Sequence, residues 1–127
     1  METPRRNRGK HPNDDRLFGS KWLPVFREAV SDLSFLLSRG YGENAALALV
    51  GNRYRLNKRQ RMAVLRMSAG DEDVALRKQK ECKATELAGA PLEIDGFNLL
   101  ILLENLLSGA YIFKCRDHTY RDISSVH

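Results

Sequence analysis

Apolar residues recur at three- and four-residue spacings from Trp22 through Phe26, Ala29, Val30, Leu33, Leu36 and Leu37. That spacing lines one face of a helix and predicts a helix over 20–39. Ser20 stands where an N-cap is expected, Pro24 falls in the first turn, and Gly40 follows Arg39 as a stop. A second, shorter helix is predicted from Glu43 to Val50, rich in alanine and leucine, with Gly51-Asn52 ending it. Asn57-Lys58-Arg59-Gln60 has the form of a capping box, opening a third helix that carries Met62, Ala63, Leu65 and Met67 and closes near Ala69-Gly70. Asp71 is placed to cap a fourth element through Leu87, but Arg77 to Lys83 has no apolar face, which predicts a solvated helix or linker.

The period changes after Gly89. Residues 91–95 read as a short strand, Asn98 to Leu107 as an apolar helix ended by Ser108-Gly109, and Ala110 to Cys115 as a strand rich in aromatic and β-branched residues. A strand, a crossover helix and a strand make a β-α-β unit with parallel strands. The fold class expected is therefore α+β, mainly α: an N-terminal helical bundle followed by a short β-α-β unit. Residues 1–18, polar and nearly free of apolar side chains, read as a mobile basic arm, 19–89 as the helical domain, and 90–127 as the β-α-β segment.

With 127 residues, 43% hydrophobic and 29% charged, the composition is that of a globular protein rather than of a collagen or a disordered tail. No signal-peptide core stands at the start, and the apolar run from Phe97 to Leu107 is broken by Asn98, Glu104 and Asn105. A cytoplasmic protein with no membrane partner is expected. Cys82 and Cys115 lack metal-ligand spacing and read as two reduced thiols. No phosphate-binding glycine loop, Ser-His-Asp arrangement or H-E-x-x-H motif occurs.

Charge divides the chain more sharply than composition. Residues 1–70 hold 14 Lys and Arg against 6 Asp and Glu, a net +8, whereas residues 71–127 hold 7 against 10, a net −3. A basic half is what RNA or DNA phosphates attract. Its densest stretch places Arg53, Arg55, Lys58, Arg59 and Arg61 around Tyr54. Arginine and lysine grip phosphates and a tyrosine ring stacks on a base; the same run also suits a solvated helix face, and both readings stand.

In the acidic half, two parallel strands would end on one edge, bringing Asp95 and Asp117 together where open sheets hold ligands, with Asp122 and Glu104 within approach. Clustered carboxylates favour a hard cation, Mg²⁺ or Mn²⁺, which orients water on a phosphodiester. Asp95 and Asp117 equally suit loop starts, where aspartate turn chemistry is common. His118, beside Asp117, adds a candidate ligand or base.

Ile94-Asp95-Gly96-Phe97-Asn98 before an apolar helix resembles the opening motif of PIN-like nuclease domains. The resemblance implies that Asp95 ligates metal and Asn98 supports catalysis; Asp117 and Asp122 join the candidate metal and catalytic set only through the strand-edge placement above. Leu33 to Tyr41, Val50 to Arg61 and the Asp-Gly-Phe-Asn motif together resemble an uncharacterised prokaryotic family catalogued as domain of unknown function 434, over most of residues 16–127. PIN-like domains need a longer sandwich than the 32 residues following Asp95. The segment therefore reads as an incomplete PIN-like part: an Mg²⁺- or Mn²⁺-dependent ribonuclease if another chain completes it, or a truncated inactive form. Homodimerisation through the C-terminal segment is the expected route. Leu56 to Leu65 also resembles the first helix of response-regulator-type helix-turn-helix domains, which keeps a non-catalytic DNA-binding or oligomerisation module as the alternative.

Overall fold

The apolar stripe of residues 22–37 folds as the pattern predicts and organises everything around it. In the computed structural model, which describes residues 10–93 and 96–123, helix α1 spans Asp14–Leu17, α2 Leu23–Ser38, α3 Glu43–Arg53, α4 Lys58–Met67, α5 Asp71–Lys80 and α6 Gly96–Leu107. Strands β1 (Phe113–Lys114) and β2 (Tyr120–Arg121) pair antiparallel, with Phe113 opposite Arg121 and Lys114 opposite Tyr120. The described residues are therefore mainly helical, with one two-stranded sheet.

Phe26, Ala29 and Leu33 of α2 bury against Ala46 and Val50 of α3 and Ala63 and Val64 of α4. Pro24 sits in the first turn of α2, where no intrahelical donor is lost. Ser20 opens a short 3-10 turn instead of capping α2 with its side chain. At the other end Gly40 takes a φ of 90°, and the bonds Gly40 N to Leu37 O and Tyr41 N to Leu36 O complete a Schellman stop. Ser34 and Ser38 then pin the next connection: their hydroxyls accept from Ala69 N (3.2 Å) and Asp71 N (2.8 Å). Gly70, rather than Asp71, occupies the cap position of α5.

Three segments differ from the sequence expectation. Residues 14–18 belong to the core: Leu17 and Phe18 are buried, Phe18 meets Phe26 with ring centroids 5.7 Å apart, and Asp14 is fully buried. The stretch is too short to show periodicity, and its partners are distant: Asp14 pairs with Arg59, 45 positions away, and Phe18 meets rings at positions 26, 111 and 113.

The C-terminal segment also joins that core. Tyr111 and Phe113 lie 5.6 and 5.1 Å from the Phe18 ring, and Ile123 is 1% exposed within the helical cluster. Finally, the parallel β-α-β crossover is absent among the described residues. Residues 91–93 are irregular and exposed, and Ile94 and Asp95 lie outside the described residues. The strand expected at 110–115 narrows to 113–114 and folds back on 120–121. The cause is local: Asp117 accepts from Thr119 N at 3.1 Å, and His118 takes a φ of 68° that reverses the chain. Among the described residues, no helix is long and apolar enough to cross a membrane.

Candidate functional site

The basic candidates occupy the turn from α3 to α4. Asn57 caps α4 reciprocally with Gln60: Gln60 N donates to Asn57 Oδ1 at 2.9 Å, and Asn57 N to Gln60 Oε1 at 3.0 Å. Gln60 Nε2 also donates to Leu17 O at 2.9 Å, tying α4 to the α1 segment. Ahead of the cap, Leu56 N bonds Gly51 O (2.9 Å) and Arg55 N bonds Asn52 O, another Schellman stop. Here the residue at the reversal is Arg55, with a φ of 53°. A non-glycine residue in that conformation costs about 1 kcal/mol.

Most cations of the run are committed inside the molecule. Arg59 forms a two-pronged pair with buried Asp14, Nε to Oδ1 at 2.7 Å and Nη2 to Oδ2 at 3.0 Å. Arg61 donates to Leu56 O (2.7 Å) and Asn52 Oδ1 (3.0 Å), and its guanidinium fills the space a side chain at Gly51 would need. Arg53 pairs with Asp32 at 3.2 Å and stacks over the Tyr54 ring at 5.1 Å. Tyr54 donates its hydroxyl to Asp32 at 2.5 Å; that bond, with burial and the aspartate charge, pushes its pKa up to about 12. One face of the ring expected to stack on a base is thus covered by Arg53. Arg55 and Lys58 remain exposed, with no ion pair among the described residues.

The acidic candidates divide in the same way. Asn98 and Asp122 line one open groove of about 580 Å³ together with Arg66, Tyr120 and Arg121. Asp122 accepts from Asn105 Nδ2 at 2.7 Å and lies 3.9 Å from Arg66. Asp117 faces away to α5: its side chain, 1% exposed, takes Arg77 at 2.6 Å and the Thr119 hydroxyl at 2.5 Å, with Arg121 at 3.9 Å. Burial pushes the Asp117 carboxyl up, but the Thr119 and Arg77 hydrogen bonds outweigh it, and the net shift is downward. Glu104 is exposed on α6, and His118 is the exposed reversal residue of the hairpin. Asp95 lies outside the described residues. Among the described residues, no group of three or more His, Cys, Asp or Glu converges as a metal site does.

Several partners in these arrangements carry no signal in the sequence. Asp14, Asp32 and Arg77 are ordinary charged positions until the fold brings Arg59, Tyr54 and Asp117 to them, 45, 22 and 40 residues away.

Residues 25–80 match the family model described as protein of unknown function (DUF434), and residues 84–127 match that described as domain of unknown function (DUF5616). The two meet at residues 81–83, where α5 has ended. The chain is 39% identical over 100 residues to an uncharacterized protein of Methanocaldococcus jannaschii, an alignment covering 79% of this chain and 48% of the relative. It therefore spans about half the length of that relative. No solved structure matches the chain significantly. Neither matched description names a PIN-like domain, and what the comparisons support is kinship with proteins of unknown function.

Proposed function

We propose that this chain is a nucleic-acid-binding module that holds phosphates at the α3–α4 turn, with Arg55 and Lys58 as the contacting cations. The observation that carries the reading is Arg55. It keeps a left-handed backbone where glycine would be unstrained, at a cost of about 1 kcal/mol, and its guanidinium has no ion pair among the described residues. Strain retained at an exposed cation is what a binding role would explain. Lys58, at the first position of α4, adds a second charge beside the positive end of that helix.

The test is anisotropy titration of labelled single-stranded and duplex RNA and DNA over a salt series. Binding is expected to weaken as salt rises, and Arg55→Gly or Lys58→Ala each to reduce the salt slope by about 1. Arg55→Gly is expected to raise stability by about 0.5 to 1 kcal/mol while lowering affinity. Unchanged affinity in Arg55→Gly would end the proposal.

A metal-dependent nuclease is the second reading, favoured by one observation: Asn98 and Asp122 share a groove beside α6, the helix that immediately follows Asp95. Mg²⁺ or Mn²⁺ there would require Asp122 to exchange its Asn105 and Arg66 contacts for the ion. Asp117 would have to leave Arg77 and Thr119. Calorimetric titration with Mn²⁺, comparing the chain with Asp95→Ala and Asp122→Ala, decides this: no binding, or binding unaffected by either change, removes the nuclease.

A further inference from the structure

Helix α6 is turned the opposite way from an ordinary surface helix. Leu99, Leu100, Leu103, Leu106 and Leu107 are 41% to 86% exposed, whereas Asn105 is 2% exposed and held inward by its bond to Asp122. At 100° per residue these leucines form one continuous stripe centred on Leu103, with Glu104 at its margin. A helix with a hydrogen-bonded asparagine inside and five leucines outside is shaped for a cover on its outer face.

We propose that the cover is a second copy of this chain, the two α6 stripes packing face to face about a two-fold axis near Leu103. Three features select that occupant. First, the stripe offers roughly 500 Å² per copy, so two copies bury roughly 1,000 Å² together, the lower limit for a specific interface. Second, no charge lies within the stripe, so identical faces meet without like-charge repulsion despite the +5 net charge of each chain. Third, α6 carries no Lys or Arg, the residues by which helices lying on anionic lipid are held, so a membrane surface fits it less well than protein. The proposal does not depend on nucleic-acid binding, and nothing in the α3–α4 turn is needed for it.

Sedimentation velocity of the full chain over a concentration series tests it. A concentration-dependent monomer–dimer equilibrium is expected. Leu103→Glu is expected to weaken association at least about 100-fold, since it buries two unpaired carboxylates. Leu100→Gln, at a more exposed position, weakens association without threatening the fold, and circular dichroism checks that both variants retain helix. Leu49→Glu, at an exposed position on α3, serves as the control and leaves the dimer intact. A chain that stays monomeric at all concentrations overturns the proposal, as does a dimer indifferent to both α6 variants. Monomeric chain that instead sediments with phosphatidylserine vesicles, or that pairs only with the unmatched half of the archaeal relative, overturns it equally.

Discussion

Helices α4 and α6 have exchanged the roles their compositions suggest. α4 carries four cations in ten residues, yet it packs against α2, α3 and β1 at the middle of the molecule. α6 carries one charge in twelve residues, yet five of its six leucines face outward. The difference lies in partners. Arg59 reaches Asp14, Arg61 reaches Leu56 O and Asn52, and Arg66 reaches Asp122, so three of the four cations bind inward and leave Ala63 and Val64 free to pack. The α6 leucines meet no such complement among the described residues. Burial is thus decided by what the fold brings opposite a helix, and a polar helix with matched partners can be more central than an apolar one without them.

The largest effect that tests this contrast is at the Asp14–Arg59 pair. Arg59→Ala leaves a fully buried carboxylate without its ion-pair partner, held among the described residues only by the His11 N–H, which costs about 3 to 5 kcal/mol. Urea unfolding of Arg59→Ala, Asp14→Ala and the double variant measures it, and the double variant is expected to recover part of the loss because no charge is then stranded. A cost below about 1 kcal/mol for Arg59→Ala would mean that α4 is central for its apolar residues alone.

A middle-sized effect separates the C-terminal tail from α6, although the two adjoin in sequence. Ile123 lies in the helical core, so Ile123→Ala is expected to cost about 2 to 4 kcal/mol. Leu100→Ala removes a larger apolar surface from solvent contact and is expected to cost less than about 0.5 kcal/mol, measured at dilution where the chain is monomeric. Equal costs would show that α6 is as firmly integrated as the hairpin.

What could be read in advance follows the same division. The α2 stripe, the Asn57–Gln60 capping box and the Gly40 stop are local signals, each written within a few residues, and all three take the form expected. The α1 turn and the hairpin are not local in that sense. Phe18 is ordered by contact with Phe26, Tyr111 and Phe113, Leu17 buries in the same core cluster, and β1 pairs with β2 instead of a strand before α6 because Asp117, His118 and Thr119 reverse the chain. For the candidate sites, residue type was legible and engagement was not. Nothing in Arg53-Tyr54-Arg55 distinguishes the arginine that pairs with Asp32 from the one that faces solvent; the backbone of α3 does that, by ending at Arg53.

The smallest expected effects come from pH, and they probe two regions separately. Tyr54 is raised from 10.0 to about 12 chiefly by donating to Asp32. A raised folded value means that its stabilisation is complete below pH 10 and is lost as pH climbs from 10 to about 12. Asp117 is shifted the other way, below 3.8: burial opposes the shift, and the Thr119 and Arg77 bonds overcome it. Its stabilisation is present above about pH 4 and disappears as pH falls through the folded value. Unfolding midpoints followed across pH should therefore show Tyr54→Phe flattening the alkaline limb and leaving the acid limb alone, with Asp117→Asn doing the reverse. Tyr54 joins α3 to α2, whereas Asp117 joins the hairpin to α5, so the two limbs report on different contacts. If Asp117→Asn leaves the acid limb unchanged, the hairpin is held on the helical core by Ile123 and the Phe18 ring cluster, and the carboxylate serves only to shape the turn.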